Sequence, residues 1–160
     1  MKTAEEIVGE KGYNIISVPH DTTIHDALVK MIEKKVGAIV VTRDGRPVGV
    51  WSSRDLMRNT VAEDFDPKTA RIDKYMSSPI LTAPSTDTYY DLMDKFLGLR
   101  VNHLLVEKDG EYIAMLSSGD VMKANLQEKT EELDQLNTMV SWEYYEEWKW
   151  QPGKKNKLEI

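Results

Sequence analysis

Two serine–aspartate pairs carry the chemistry this chain can be expected to do. Ser52-x-x-Asp55 and Ser117-x-x-Asp120 each end an apolar run and open a helical pattern, a few residues beyond an Asp-Gly turn. A hydroxyl and a carboxylate at this spacing have two uses. As structure, Ser/Thr-x-x-Glu is the capping box, and aspartate can take the glutamate's part, so the pairs need do no more than end a strand and start a helix. As a site, a helix N-terminus presents N–H groups and positive dipole to an anion, the serine hydroxyl can join them, and the carboxylate can accept both hydroxyls of a ribose. An adenosine phosphate satisfies all three. The two uses are compatible, because a cap can also be a ligand site.

The elements that must position these pairs occur twice. Val36 to Arg58 reads VGAIVVTRDGRPVGVWSSRDLMR and Val101 to Lys123 reads VNHLLVEKDGEYIAMLSSGDVMK: apolar run, Asp-Gly turn, apolar run, helix. Ahead of the first copy, Ile24, Ala27, Leu28, Met31 and Ile32 fall on one face of a helix, and Thr23 with Asp26 supplies a start resembling a capping box. Tyr89, Leu92, Met93, Phe96 and Leu97 repeat that face, and Thr88 with Asp91 repeats the start. A shift of ~65 residues superposes the halves without a gap from Pro19/Pro84 to Met57/Met122. A short helix over Thr3 to Glu10 and a strand over Ile15 to Val18 lead in. A short helical turn over Ile72, Tyr75 and Met76 precedes the second copy. The chain thus divides into a first repeat over 1–61, a linker over 62–71, a second repeat over 72–125, a C-terminal aromatic helix over 126–150 and a basic tail over 151–160.

At 160 residues, 41% hydrophobic and 30% charged, the chain has the composition of a globular protein. A formal charge of -6 argues against a nucleic-acid polymer as partner. The absence of cysteine excludes disulfides and thiolate metal sites, and the three histidines lack the spacing of a helical metal pair, so no metal is expected. No apolar run approaches the ~18 residues of a membrane span, and no basic segment followed by an apolar stretch opens the chain. No membrane association is expected, and the cytoplasm is the expected compartment. Gly-x-Ser-x-Gly, a P-loop and Gly-x-Gly-x-x-Gly are all missing, so no enzyme activity is expected.

The doubled β-α-β-β-α order, with Gly37 ahead of one strand, Gly49-Val50-Trp51-Ser52-Ser53-Arg54-Asp55 closing the next, and Ala114-Met115-Leu116-Ser117-Ser118-Gly119-Asp120 matching it, resembles a tandem pair of cystathionine-β-synthase (CBS) domains over roughly residues 5–125. The resemblance implies an α/β (α+β) fold of two pseudo-symmetric repeats packed through their sheets, with two clefts between them and a long C-terminal helix outside the match. It implies a regulatory module binding AMP, ADP, ATP or S-adenosylmethionine, with no required cofactor, forming a homodimer and acting on a regulated protein the sequence does not name. By carry-over, Asp55 and Asp120 hold ribose hydroxyls and Ser52 and Ser117 sit by the phosphate. Backbone near Ile16, Ser17 and Val18 and near Leu81, Thr82 and Ala83 edges the base, with Gly37/Ala38 and Asn102/His103.

The copies are unequal. Gly119 stands where the first repeat has Arg54, and Ala114 replaces Gly49. His103 and Arg100 are the candidates to restore positive charge to the second site. Arg54 and Arg58 can equally face solvent, and His103 can be a hydrogen-bonded residue at a strand start. Trp51 alternates with Val50 and is expected to pack. Trp142, Tyr144, Tyr145, Trp148 and Trp150 cannot all face inward on one helix, so a second subunit is the simplest cover for them, and a helix folded back on its own domain is the alternative. The alternative function follows from them: an interaction or dimerisation module with vestigial clefts, working through the aromatic helix.

Overall fold

Each Asp-Gly pair turns a hairpin because both of its residues take positive φ: 52° and 76° at Asp44 and Gly45, 52° and 81° at Asp109 and Gly110. That conformation matches the right-handed twist of the strands it joins. In the computed structural model, which describes residues 1–136, the hairpins are β2 (Ala38–Arg43) with β3 (Arg46–Ser52), and β5 (His103–Lys108) with β6 (Glu111–Ser117). Each slips register once, leaving Val48 unpaired in one and Ile113 in the other. A short parallel strand completes each sheet, β1 (Ser17–Pro19) on β2 and β4 (Thr82–Pro84) on β5, so the two three-stranded sheets have the same order.

Helix α2 (Ile24–Lys34) follows β1, and α4 (Tyr89–Leu99) follows β4. Ile24, Ala27, Met31, Leu92 and Phe96 are buried against their sheets. The last position of each expected apolar face is not: Ile32 is 74% exposed and Leu97 72%. Eight residues at 3.6 per turn carry these side chains past the edge of the sheet-facing stripe. Thr88 and Asp91 form a full capping box, whereas Thr23 only accepts from the Asp26 N–H and Asp26 turns to His25 instead.

Between the sheets lies a small core of Ala38, Val40, Leu105 and Met115, ringed by Ile15, Val50, Ile80 and Tyr112. The sheets therefore face one another. Two larger cores lie on the helix sides, and here the halves trade their leading segments. Helix α1 (Ala4–Lys11), capped by Thr3, packs Ile7 and Val8 among Leu92, Leu104 and Val121 of the second repeat. The 3-10 turn Ile72–Lys74 packs Ile72 among Ile24, Ile39 and Trp51 of the first. Trp51 is fully buried and donates to Asn59 Oδ1 at 2.9 Å.

Helix α5 begins at Ser118 and is described to Leu136. It buries Val121 and Ala124 but leaves Leu126 65% and Leu133 44% exposed. The aromatic cluster from Trp142 onward and the basic tail lie outside the described residues. No helix among the described residues is long and apolar enough to cross a membrane.

Candidate ligand-binding clefts

Both serine–aspartate pairs are complete capping boxes. At the start of α3 (Ser53–Asn59), Asp55 Oδ2 accepts from the Ser52 N–H at 2.8 Å and the Ser52 hydroxyl at 3.0 Å. At the start of α5, Asp120 Oδ2 accepts from the Ser117 N–H at 2.8 Å and its hydroxyl at 2.7 Å. The structural use of these residues is thus met in full by Oδ2.

Each pair also borders a cavity. The first cleft, about 380 Å³, gathers Ser52, Arg54, Asp55 and Arg58 from the first repeat with Ser77 to Leu81 and Arg100 to His103 from the chain leading into and through the second. The second cleft, about 400 Å³, gathers Ser117 and Asp120 with Ile16, Lys34 to Ala38, and Lys11 at the end of α1. Each cleft takes its carboxylate from one repeat and its far wall from the other. Both volumes fall in the range of small-molecule sites, roughly 300–1,000 Å³.

Of the expected base-edging residues, Ile16, Gly37 and Ala38 line the second cleft and Leu81, Asn102 and His103 the first. Ser17, Val18, Thr82 and Ala83 line neither. They are held in β1 and β4, where Val18 and Ala83 point into the helix-side cores.

The electrostatics differ from expectation. Arg100 serves the first cleft, alongside Arg54 and Arg58, because the clefts cross between repeats. Arg54 Nη1 donates to the Arg100 carbonyl at 2.9 Å, spanning the cleft. The second cleft draws its positive charge from Lys11, Lys34 and Lys35. Lys11 Nζ lies 2.6 Å from Asp120 Oδ2 and donates to the Met115 carbonyl at 2.8 Å. Partial burial works to raise the Asp120 pKa, but the Lys11 ammonium and the Ser117 N–H and hydroxyl outweigh it and hold the carboxyl below its ordinary value. His103 lines both clefts. It does not supply the positive charge expected of it: burial, then Lys11 and Arg54, outweigh Asp120 and keep the imidazole below its ordinary pKa, hence neutral at pH 7.

Sequence reasoning missed Lys11, Lys34 and Lys35. Lys35 was within reach, because it aligns with Arg100 and both cap their helices in the left-handed conformation, at φ 55° and 54°. Nothing local pointed to Lys11, which reaches its cleft only through the docking of α1 on the other half. Among the described residues no cluster of His, Asp and Glu is placed to hold a metal.

The family model for the CBS domain matches residues 6–62 and 72–127. The chain is similar to the mitochondrial CBS domain-containing protein CBSX3 of Arabidopsis thaliana, 30% identical over 129 residues, 78% of this chain. It spans 63% of that protein's length. In fold it is similar to the CBS-domain containing protein ATU1752 of Agrobacterium tumefaciens, with TM-score 0.74 and 27% identity over 78% of this chain and 99% of that one. It is also similar to the CBS domain protein PAE2072 of Pyrobaculum aerophilum, solved in complex with AMP, with TM-score 0.63 and 28% identity over 74% of this chain and 89% of that one. Two family matches, two superposable sheets and two crossed clefts converge on one assignment: the chain belongs to the CBS domain family, as a tandem pair.

Proposed function

We propose that this protein is a regulatory module that binds an adenosine nucleotide of the AMP, ADP or ATP class in the first cleft, the ligand altering its conformation or partner contacts. A CBS domain pair is a regulatory module. The observation that carries the ligand class is the first cleft itself, where the Asp55 carboxylate shares a cavity with three guanidiniums, Arg54, Arg58 and Arg100. The carboxylate suits a ribose diol, guanidiniums suit a phosphate, and Ile80 with Leu81 offers an apolar edge for a base. Capping occupies Asp55 Oδ2, which leaves Oδ1 to accept ribose hydroxyls. AMP in the related PAE2072 supports the same reading.

The second cleft is the weaker site for this ligand, because the Lys11 ammonium on Asp120 Oδ2 already neutralises that carboxylate and weakens Oδ1 as an acceptor for ribose hydroxyls. A ligand acts as a regulator only if it prefers one state of the protein. Helix α5 starts one residue beyond Ser117, so a shift at the second cleft reaches it directly. A homodimer completes the proposal, supported by Ile32 and Leu97, equivalent apolar side chains left exposed on both repeats.

Thermal denaturation with AMP, ADP, ATP and S-adenosylmethionine tests the reading. A ligand present at 100 times its Kd adds about 2.7 kcal/mol of stability. A midpoint that no adenosine compound moves at millimolar concentration would sink it. Asp55→Asn should lose most of the shift and Asp120→Asn should retain it.

A further inference from the structure

His103 stands in the wall between the two clefts and lines both. Its imidazole rests against Gly37 of the other repeat, where a Cβ would stand 3.5 Å from Cε1 and 3.6 Å from Nε2. The matching position in the first repeat is Ala38, 3% exposed in the core between the sheets. One imidazole is therefore shared by two cavities, and pseudo-symmetry supplies no second.

Charged groups face this ring from both sides. On the first-cleft side are Arg54, Asp55 and Arg58 of α3 and Arg100 at the end of α4. On the other are Lys11 of α1, Lys34 and Lys35 at the end of α2, and Asp120 of α5. Burial and the nearest cations, Lys11 and Arg54, keep the ring neutral at pH 7 against the pull of Asp120. These two cations belong to different clefts. An anion brought into either cleft offsets the cation on its own side and lifts part of the opposition to a proton on the ring.

We propose that His103 couples the clefts: an anionic group bound in either one draws a proton onto the shared imidazole, and the imidazolium then favours an anion in the other. This rests on the reading of the clefts as nucleotide sites and adds the sign of their coupling and its pH range. A proton taken up on binding means that binding tightens as pH falls. The effect is confined to the interval between the His103 pKa of the protein alone and its higher value in the complex.

The test reads the His103 Cε1–H resonance through a pH titration of the wild-type chain, alone, with AMP, with inorganic phosphate, and with sodium chloride at matched ionic strength. Substituting His20 and His25 by glutamine identifies the His103 signal by elimination. A rise of about one pKa unit with either phosphate probe and none with chloride is expected. Calorimetric AMP titrations at about pH 6 should show net proton uptake, and a second AMP binding about fivefold tighter than independent sites allow. The excess affinity should vanish in His103→Gln, and the uptake of the wild-type chain should exceed that of the variant, a difference that cancels the protonation of AMP itself. If AMP does not bind, the adenosine reading falls and the phosphate arm decides the coupling alone. A His103 pKa unmoved by inorganic phosphate and AMP, or proton uptake equal in His103→Gln and the wild-type chain, overturns it.

Discussion

Replacing Arg100 by glycine should make this protein more stable and a poorer ligand binder at once. Arg100 caps α4 with φ 54° and ψ 43°, a conformation that costs a non-glycine residue about 1–2 kcal/mol. Glycine removes that cost but loses about 0.5–1 kcal/mol through the greater freedom of its unfolded chain. The net gain is about 0–1.5 kcal/mol, or a rise of up to roughly 6 °C in Tm for a chain of this length. The hydrogen bond from Arg54 is to the Arg100 carbonyl and the cap bonds run from its N–H, so neither depends on the side chain removed. What is lost is one of three guanidiniums in the first cleft, a charge-assisted contact of about 1.5–3 kcal/mol, or roughly tenfold or more in AMP affinity. Differential scanning calorimetry of the free protein and calorimetric AMP titration read the two effects separately. Lys35→Gly, at the equivalent cap in the second cleft with φ 55°, should give the same stability gain with little change at the first. If Arg100→Gly binds AMP as tightly as wild type, Arg100 is a tolerated surface residue. If it melts lower, the strain assigned to the cap is absent.

Gly49→Ala should destabilise the chain by about 1–3 kcal/mol in urea denaturation. A Cβ there would stand 2.4 Å from Met76 Sδ and 3.0 Å from the Ser77 carbonyl, which pairs with the edge of β3 at Val50; a wild-type midpoint would mean that this strand edge yields freely. Asp120 has a lowered native pKa, so its contribution to stability is present above the unfolded value of about 4 and is lost as pH falls through the native one. Asp120→Asn should accordingly flatten the loss of stability between about pH 5 and pH 3, and parallel profiles would show that the Lys11 pair is energetically silent. Ile32→Glu combined with Leu97→Glu should halve the mass measured by light scattering without lowering the monomer's melting point; an unchanged dimer would move the interface elsewhere.

What could be read from the residues in order was local. Asp-Gly at two hairpins, threonine before two helices and serine–aspartate before two more are each decided within four residues, and the structure shows each at its place. The helix faces were read one position too wide, because sequence periodicity records which residues are apolar and not where the sheet beneath them ends. Ile32 and Leu97 overrun it equally on both repeats.

The crossing of the clefts is the part that a repeat conceals. Identical halves predict two equal sites, one in each, whereas opposing sheets place the serine–aspartate pair of each half against the β1- or β4-side wall of the other. Once the walls are exchanged, a difference in one half acts in both clefts. The second repeat holds Arg100 and His103 where the first holds Lys35 and Ala38, which places Arg100 with Asp55 and Lys35 with Asp120. Helix α1 crosses in the same sense, and only by crossing does Lys11 reach Asp120. The inequality of the two sites is therefore a consequence of topology acting on a few substituted positions, and His103, among the described residues the one lining both cavities, is the place proposed for communication between them.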